Sequence, residues 1–271
     1  ICWRILRCYP GSGLVMSSPH LNLRCFLLWC NVTALSSSMK VDADLWAGRR
    51  VFLTGHTGFK GSWLCLMLER LSANVAGYAL APPSEPNLFE IADVGRGLAH
   101  VHGDVRDLSA VTAAMRNHDP EIVIHMAAQA LVRPSYEDPV GTYDTNVMGT
   151  VNVLEAARDL NNVRAILIVT SDKCYENVER ARGYAEDEPM GGHDPYSSSK
   201  GCAELVTAAY RNSFFTGSQG SAMVGTARAG NVIGGGDWGC GRLVPDLIKA
   251  FNAGDSAIIR RPDAIRPWQF V

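Results

Sequence analysis

The chain has 271 residues, of which 47% are hydrophobic and 19% charged, and its formal net charge is −2. This composition is typical of a globular protein that buries a substantial core. The near-neutral charge excludes a bulk attraction to nucleic acid or to an anionic membrane, so we expect neither as a partner. A phosphate on a substrate would have to be bound by local arginines and helix N-termini.

Residues 1–38 differ in character from the rest of the chain. They contain arginines near the start, an apolar run over 25–30 and three serines at 36–38, a pattern that resembles a signal peptide. The apolar run is too short for a membrane span, and a methionine stands at position 39. We therefore expect residues 1–38 to be a non-native or disordered extension. The abrupt end at Val271 suggests a fragment.

The eight cysteines show no spacing that is typical of a metal site. Four lie in the first 30 residues, and the others are Cys65, Cys174, Cys202 and Cys240. No C-x-x-C pair and no Cys/His cluster with zinc spacing occurs in the sequence. We expect no metal ion, and we interpret the four later cysteines as reduced thiols of a cytoplasmic protein.

Short apolar runs alternate with helical patterns along the chain. The predicted strands cover 50–54, 74–79, 98–102, 121–125, 164–170 and 222–229, and the predicted helices cover 60–72, 108–117, 139–159 and 196–212. Because the strands are almost continuously apolar, they predict a parallel sheet buried on both faces, the doubly wound (Rossmann) α/β fold. Residues 39–230 would form this domain, and residues 231–271 would begin a second, smaller, truncated substrate domain.

The first predicted strand ends in a glycine loop with the pattern G-x-x-G-x-x-G. Such glycines permit a tight turn, let the backbone approach a pyrophosphate and allow close packing of the following helix. We expect a dinucleotide here, bound by Gly55, Thr57, Gly58, Phe59, Lys60 and Gly61. No acidic residue or arginine stands at 78–81, about 20 residues further on, so the spacing does not distinguish NAD from NADP.

Two short motifs carry the expected chemistry. Tyr196 and Lys200 are four residues apart at the start of a predicted helix, so they share one face. We expect the ammonium to lower the pKa of the phenol and make it a usable base. Ser171, Asp172 and Lys173 follow a predicted strand, and the carboxyl ends of parallel strands face the ligand crevice. We predict these five residues as catalytic.

The motifs resemble those of the extended short-chain dehydrogenase/reductase family, whose glycine loop has the same spacing. Within that family, an acid/base pair after the catalytic serine is typical of the sugar-nucleotide 4,6-dehydratases, usually as Asp-Glu. The pair Asp172–Lys173 resembles that of the CDP-glucose 4,6-dehydratases, and the resemblance extends over residues 41–271.

The resemblance implies further binding residues. For the cofactor, which would be NAD, they are Asp104, Val105, Ala127, Ala128, Gln129 and Asn146, together with Tyr196 and Lys200. For the nucleotide sugar, which would be CDP-glucose, they are Arg133, Ser135, Asn231, Arg242 and Arg266. Members of the family commonly form dimers, so the resemblance also implies a homodimer.

The implied reaction is the NAD-dependent 4,6-dehydration of CDP-glucose to CDP-4-keto-6-deoxyglucose, a step of deoxysugar and lipopolysaccharide biosynthesis. Tyr196 would take the proton of the 4-hydroxyl while C4 passes hydride to NAD⁺. Lys173 would remove the C5 proton, and Asp172 would protonate the departing 6-hydroxyl. Lys173 could act as a base only with a lowered pKa, so shared action of Asp172 and Lys173 through a water or Tyr175 stays open.

Two other functions stay open. A sugar-nucleotide epimerase of the same family would return an isomer of unchanged mass, and the Asp172–Lys173 pair argues against it. A catalytically silent dinucleotide-binding protein would need none of Ser171, Tyr196 and Lys200, and all three are present.

Overall fold

The computed structural model describes residues 42–178, 180, 182–216, 222–259, 262, 264 and 266–271. The predicted N-terminal extension, residues 1–38, lies outside this part of the chain. Within it, the free cysteines are Cys65, Cys174, Cys202 and Cys240. None of the helices in the described segments is both long enough and apolar enough to span a membrane.

A six-stranded parallel sheet forms the centre of the fold, with the strand order β3-β2-β1-β4-β5-β6. The strands are β1 (Arg50–Thr54), β2 (Asn74–Ala79), β3 (Ala99–His102), β4 (Ile122–His125), β5 (Ala165–Ser171) and β6 (Met223–Ala229). The order changes direction between β1 and β4, which is where ligands bind in doubly wound sheets. The predicted doubly wound parallel sheet is confirmed.

Helices connect the strands. They are α1 (Ala43–Trp46), α2 (Phe59–Arg70), α3 (Leu88–Ile91), α4 (Leu108–His118), α5 (Val132–Glu137), α6 (Pro139–Tyr143), α7 (Gly149–Arg158), α8 (Pro195–Phe214) and α9 (Leu243–Ala253). The sequence patterns predict α2, α4 and α8 closely but omit the single-turn helices and α9. The predicted helix over 139–159 consists of α6, a π-helical turn at Asp144–Met148 and α7.

Alternate residues of β1 pack on opposite faces of the sheet. Val51 and Leu53 belong to the cluster that includes α2, whereas Phe52 lies in the other cluster with Val123 and Leu154. All five side chains are fully buried, and burial of each contributes about 1.5–3 kcal/mol to stability. The buried central strands therefore fix the positions of the residues at their carboxyl ends.

A separate two-stranded parallel sheet follows the main one in the chain. It pairs β7 (Asn231–Ile233) with β8 (Trp268–Phe270). The indole nitrogen of Trp63 on α2 donates a hydrogen bond to the Gly235 carbonyl oxygen at 2.8 Å. The segment that begins at residue 231 is thereby attached to the helix that follows the glycine loop.

Candidate active site

The glycine loop between β1 and α2 packs tightly against neighbouring backbone. Gly55 has a φ of +75°, and a Cβ there would lie 2.7 Å from the amide nitrogen of Ala127. A Cβ on Gly61 would lie 2.1 Å from the Gly55 carbonyl oxygen, so only glycine fits at either position. Helix α2 begins at Phe59 with Gly58 as its N-cap, and no side chain caps it. The loop therefore fits a pyrophosphate, which the uncapped amides and the helix dipole would bind.

Three predicted cofactor-binding residues direct their side chains toward other protein groups. The Thr57 hydroxyl donates to the Leu80 carbonyl oxygen at 2.9 Å. Asp104 accepts a hydrogen bond from Arg106 at 2.6 Å, which holds the pKa of its carboxyl below the usual value. The side chain of Val105 lies in the core at 4% exposure. The contact of Val105 with the cofactor stays a prediction.

Asn146 forms hydrogen bonds with the loop that follows β4. Its Oδ1 accepts from the Gln129 amide at 2.8 Å, and its Nδ2 donates to the Gln129 carbonyl at 2.9 Å and to the Ser199 hydroxyl at 2.8 Å. These bonds connect the loop that carries Ala127 and Ala128 to α8. Asn146 is 1% exposed, and its contact with the cofactor stays a prediction.

Ser171, Asp172 and Tyr196 meet at the carboxyl end of β5. Ser171 is the last residue of that strand, and its hydroxyl donates to Asp172 Oδ1 at 3.0 Å. Tyr196, in the first turn of α8, forms a side-chain hydrogen bond with Ser171. Lys173 is half-buried, and its amide donates to the Ser171 hydroxyl at 3.3 Å. Two segments that are separate in the sequence therefore form one polar centre.

The electrostatics of this centre differ from the sequence-based expectation for Tyr196. Burial raises the pKa of Tyr196, whereas its hydrogen bond with Ser171 lowers it by a smaller amount. The expected lowering of the Tyr196 pKa is therefore corrected, because the loss of phenolate solvation outweighs the groups that favour the phenolate. Burial also raises the pKa of Asp172, although the charge of Lys173 opposes the change.

Lys200 and Lys60 are two largely buried cations, and the charge of Lys60 affects Lys200. Lys200 is 6% exposed, and its ammonium donates to the Val169 carbonyl at 3.4 Å. Burial, followed by the charge of Lys60, lowers the pKa of Lys200 to about 8. Burial also lowers the pKa of Lys60, as does the charge of Arg242, while Asp172 raises it.

The sequence pattern assigns Lys60 to the cofactor loop only and gives no indication of its charge interactions with Asp172 and Lys200. The position of Lys60 in the sequence was nevertheless an indication of function. A lysine in the first turn of a helix is destabilised by the helix dipole, so its presence suggests a role beyond stability. Within the described segments, no group of three or more histidine, cysteine, aspartate or glutamate residues is arranged to hold a metal ion.

Two of the predicted substrate-binding arginines change the pKa values of predicted catalytic residues. The charge of Arg242 lowers the pKa of Tyr196, and the charge of Arg266 lowers that of Asp172. Arg242 also pairs with Asp237, with Nη1 and Oδ1 at 2.8 Å. Asn231, the first residue of β7, donates from Nδ2 to the Pro267 carbonyl at 3.3 Å. Arg242 and Arg266 therefore bring positive charge close to Tyr196 and Asp172.

Ser135 forms a hydrogen bond with the start of α8, the helix that carries Tyr196. It is fully buried, and its hydroxyl donates to the Val132 carbonyl at 2.6 Å and accepts from the Tyr196 amide at 3.2 Å. Ser135 therefore bonds the start of α8, and its contact with the substrate stays a prediction. Arg133, on the same short helix, is exposed, and its substrate contact stays a prediction.

Comparisons with known sequences agree with this arrangement. The family model described as GDP-mannose 4,6 dehydratase matches residues 52–271. The chain is 53% identical over 234 residues to a CDP-glucose 4,6-dehydratase of Salmonella typhimurium, which covers 85% of this chain and 65% of that protein. The chain thus spans 65% of the length of this curated relative.

Solved structures share the fold. A dTDP-glucose 4,6-dehydratase double mutant from Streptomyces venezuelae, with NAD bound, has a TM-score of 0.71 at 24% identity, covering 82% of this chain and 68% of that one. A UDP-glucose 4-epimerase of Thermus thermophilus, in complex with NAD, has a TM-score of 0.62 at 30% identity, covering 70% and 58%. Since the family model matches most of the chain, the protein belongs to the GDP-mannose 4,6 dehydratase family.

Proposed function

We propose that this chain carries the catalytic residues of an NAD-dependent dehydratase that converts CDP-glucose to CDP-4-keto-6-deoxyglucose. The observation that carries the proposal is the hydrogen-bonded group of Ser171, Asp172 and Tyr196, in which the pKa of the carboxyl is raised by burial. The 53% identity to a CDP-glucose 4,6-dehydratase supports the choice of substrate. The product would be a precursor of deoxysugars, such as those of lipopolysaccharide.

The cofactor loop has the residues that NAD requires. Gly58, Phe59 and Lys60, at the start of α2, would bind its pyrophosphate, and Lys200 would bond the nicotinamide ribose. NAD⁺, when bound, would supply a hydride acceptor for C4 of the sugar and, as NADH, a hydride donor for C6. The 30% identity to an epimerase in complex with NAD supports this choice over NADP.

Tyr196 is the proposed base for the 4-hydroxyl of the sugar. Ser171 and Arg242 both lower its pKa against the effect of burial, and both lie where the sugar nucleotide would bind. Ser171 would hold the 4-oxygen beside the phenol. Arg242 and Arg266 would bind the diphosphate, since guanidinium groups match phosphate oxygens.

Asp172 is the proposed acid for the elimination. Its raised pKa increases the protonated fraction of the carboxyl, so a proton is available for the 6-hydroxyl as it departs as water. The C5 proton would pass to Lys173, and shared action of Asp172 and Lys173 through Tyr175 is the alternative route. The C5 proton and the C6 hydroxyl together account for the loss of one water.

Mass spectrometry of the sugar nucleotide after incubation with this chain and NAD⁺ tests the proposal. We expect CDP-glucose to lose the mass of one water. An isomer of unchanged mass would instead identify an epimerase. The structural similarity to a UDP-glucose 4-epimerase makes this the second candidate function. An unchanged substrate together with measurable NAD⁺ binding would favour the catalytically silent dinucleotide-binding protein.

We also propose that residues 39–230 form the cofactor domain and that residues 231–271 begin the substrate domain. The separate sheet of β7 and β8 supports this division. A cytoplasmic homodimer is the proposed state. Exposed apolar side chains on α8, Leu205 at 62% and Phe214 at 51%, support the dimer, and sedimentation analysis would test it.

A further inference from the structure

The buried carboxylate of Glu204 connects α8, β5 and β6 near the proposed catalytic residues. Glu204 is 4% exposed and lies on α8, four residues after Lys200 and therefore on the same helix face. Its oxygens accept hydrogen bonds from the hydroxyl of Thr170, the hydroxyl of Thr226 at 2.8 Å, and Nε and Nη2 of Arg228, both at 3.0 Å. Strands β5 and β6 are thus both attached to the helix that carries Tyr196.

The positions of these partners relate the carboxylate to the catalytic segment. Thr170 is the residue immediately before Ser171, so its bond to Glu204 fixes the end of β5. On the other side of the catalytic turn, the Arg228 guanidinium lies over the Tyr175 ring, 4.8 Å from its centroid. The Glu204–Arg228 pair therefore contacts the chain both before and after the turn Asp172–Cys174.

A connected loop extends the same arrangement. Nη1 of Arg228 donates to the Glu186 carbonyl at 3.0 Å, and the amide of Gly191 donates to the Cys174 carbonyl at 2.9 Å. A Cβ on Gly201 of α8 would lie 3.2 Å from the Gly191 carbonyl oxygen. The loop after the catalytic turn is thus packed between the ion pair and the catalytic helix.

Stability alone gives a weak reason for such a pair. Moving two charges out of water costs free energy, and well-packed apolar residues often stabilise a core as well as a buried ion pair does. A fork of parallel hydrogen bonds, in contrast, defines the relative position of the groups that it joins. The structure therefore favours a geometric role for Glu204 and Arg228.

We propose that the Glu204–Arg228 pair is a positioning device that holds the Ser171–Asp172–Lys173 segment in register with Tyr196 on α8. This inference rests on the proposed function for the roles of those residues. In that reaction, one sugar must meet the base on α8 and the acid after β5 in the same complex. A displacement of about 1 Å between catalytic groups can cost about 100-fold in rate, so a device that fixes their register has a clear value.

Two isosteric variants separate this role from general support of the core. Thr170→Val removes the bond between Glu204 and the catalytic strand, whereas Thr226→Val removes a bond to the same carboxylate from β6. We expect Thr170→Val to lower kcat about 10-fold with little change in KM, and Thr226→Val to have an effect at least about threefold smaller. Glu121→Gln, which alters a carboxylate at the amino end of β4, away from the carboxyl ends of the strands, should leave kcat unchanged.

The hydride step gives a readout that does not depend on water loss. NADH formation on addition of CDP-glucose would occur in a dehydratase and in an epimerase, so its rate tests the register even if the wild-type chain proves not to be a dehydratase. Absence of water loss in the wild type would contradict only the proposed function. Equal losses of NADH formation in Thr170→Val and Thr226→Val would overturn the positioning role.

Hydrogen–deuterium exchange provides a test without turnover. We expect the amides of 171–175 to exchange faster in Thr170→Val than in the wild type, with no such change in Thr226→Val or Glu121→Gln. Arg228→Lys keeps the charge but loses the fork, so it should also speed exchange over 171–175. Unchanged exchange in both Thr170→Val and Arg228→Lys would refute the proposal.

Discussion

Asp172 and Lys200 have pKa values that their surroundings shift toward neutrality from opposite sides. Burial raises the pKa of the Asp172 carboxyl and lowers that of the Lys200 ammonium to about 8. Groups shifted in this way are typical of acid/base sites. At the scale of single residues, the chemistry therefore depends on how far each charge is removed from water.

Asp172→Asn should abolish the acid without disturbing the first hydride transfer. Asparagine has the same shape but no proton of suitable acidity, so we expect water loss to slow by about 100-fold or more. NADH should accumulate, because Ser171 and Tyr196 are unchanged. Absorbance of NADH and mass spectrometry of the product measure the two steps separately. Water loss at the wild-type rate would remove Asp172 from its role as acid.

The rate should fall as the pH rises through about 8. The pKa of Lys200 is lowered, so its positive form is lost near that pH rather than near 10.5. The dependence of kcat/KM on pH measures this alkaline limb, because kcat/KM reports the ionisable groups of the free enzyme. Lys60→Met should move the limb to higher pH, because the charge of Lys60 lowers the pKa of Lys200. Lys249→Met, at an exposed position on α9, is the control, and an equal shift there would contradict the interpretation.

At the scale of elements, the site depends on close approaches between segments. The glycine loop touches the loop after β4 at Gly55 and Ala127, and the π turn presents Asn146 to that same loop. A π turn inserts an extra residue into a helix and is often found near functional sites. Here it lets one amide side chain bond both Gln129 and the catalytic helix.

Gly61→Ala should weaken NAD⁺ binding by about 10-fold or more. The added Cβ would lie 2.1 Å from the Gly55 carbonyl oxygen, so α2 and its N-terminal amides must move away from the loop. Isothermal titration calorimetry with NAD⁺ measures the Kd. Gly225→Ala is the matched control, since nothing lies within 4 Å of a Cβ at that position in β6. Equal Kd values for the two variants would contradict the prediction.

At the scale of the whole molecule, two buried histidines couple folding to pH. Burial, followed by the charge of His100, lowers the pKa of His56 to about 4, and burial, followed by that of Lys200, lowers the pKa of His125 to about 3. Both imidazoles have polar partners, since His56 bonds His100 at 2.6 Å and His125 bonds Thr54 at 2.7 Å. The fold therefore holds both rings in the neutral form.

The free energy of unfolding should fall as the pH falls below about 6.5. In that range the unfolded chain binds protons that the folded chain does not, and the loss is on the order of 2 kcal/mol for each histidine by pH 5. Urea unfolding at a series of pH values measures the change. His56→Gln should reduce the slope, and His102→Gln, at an exposed position, should not. A slope that His56→Gln leaves unaltered would refute this linkage.

The sequence by itself determined the doubly wound sheet, the glycine loop and the two motifs that we propose as catalytic, because apolar periodicity and short spacings are local properties of a chain. Only the tertiary structure decided that Ser135 and Asn146 bond α8 and that the charge of Lys60 interacts with those of Lys200 and Asp172. It also decided that burial raises the pKa of Tyr196, and that Glu204 joins β5, β6 and α8. Burial and hydrogen-bond partners depend on segments that are distant in sequence, and no local pattern records which of them will meet.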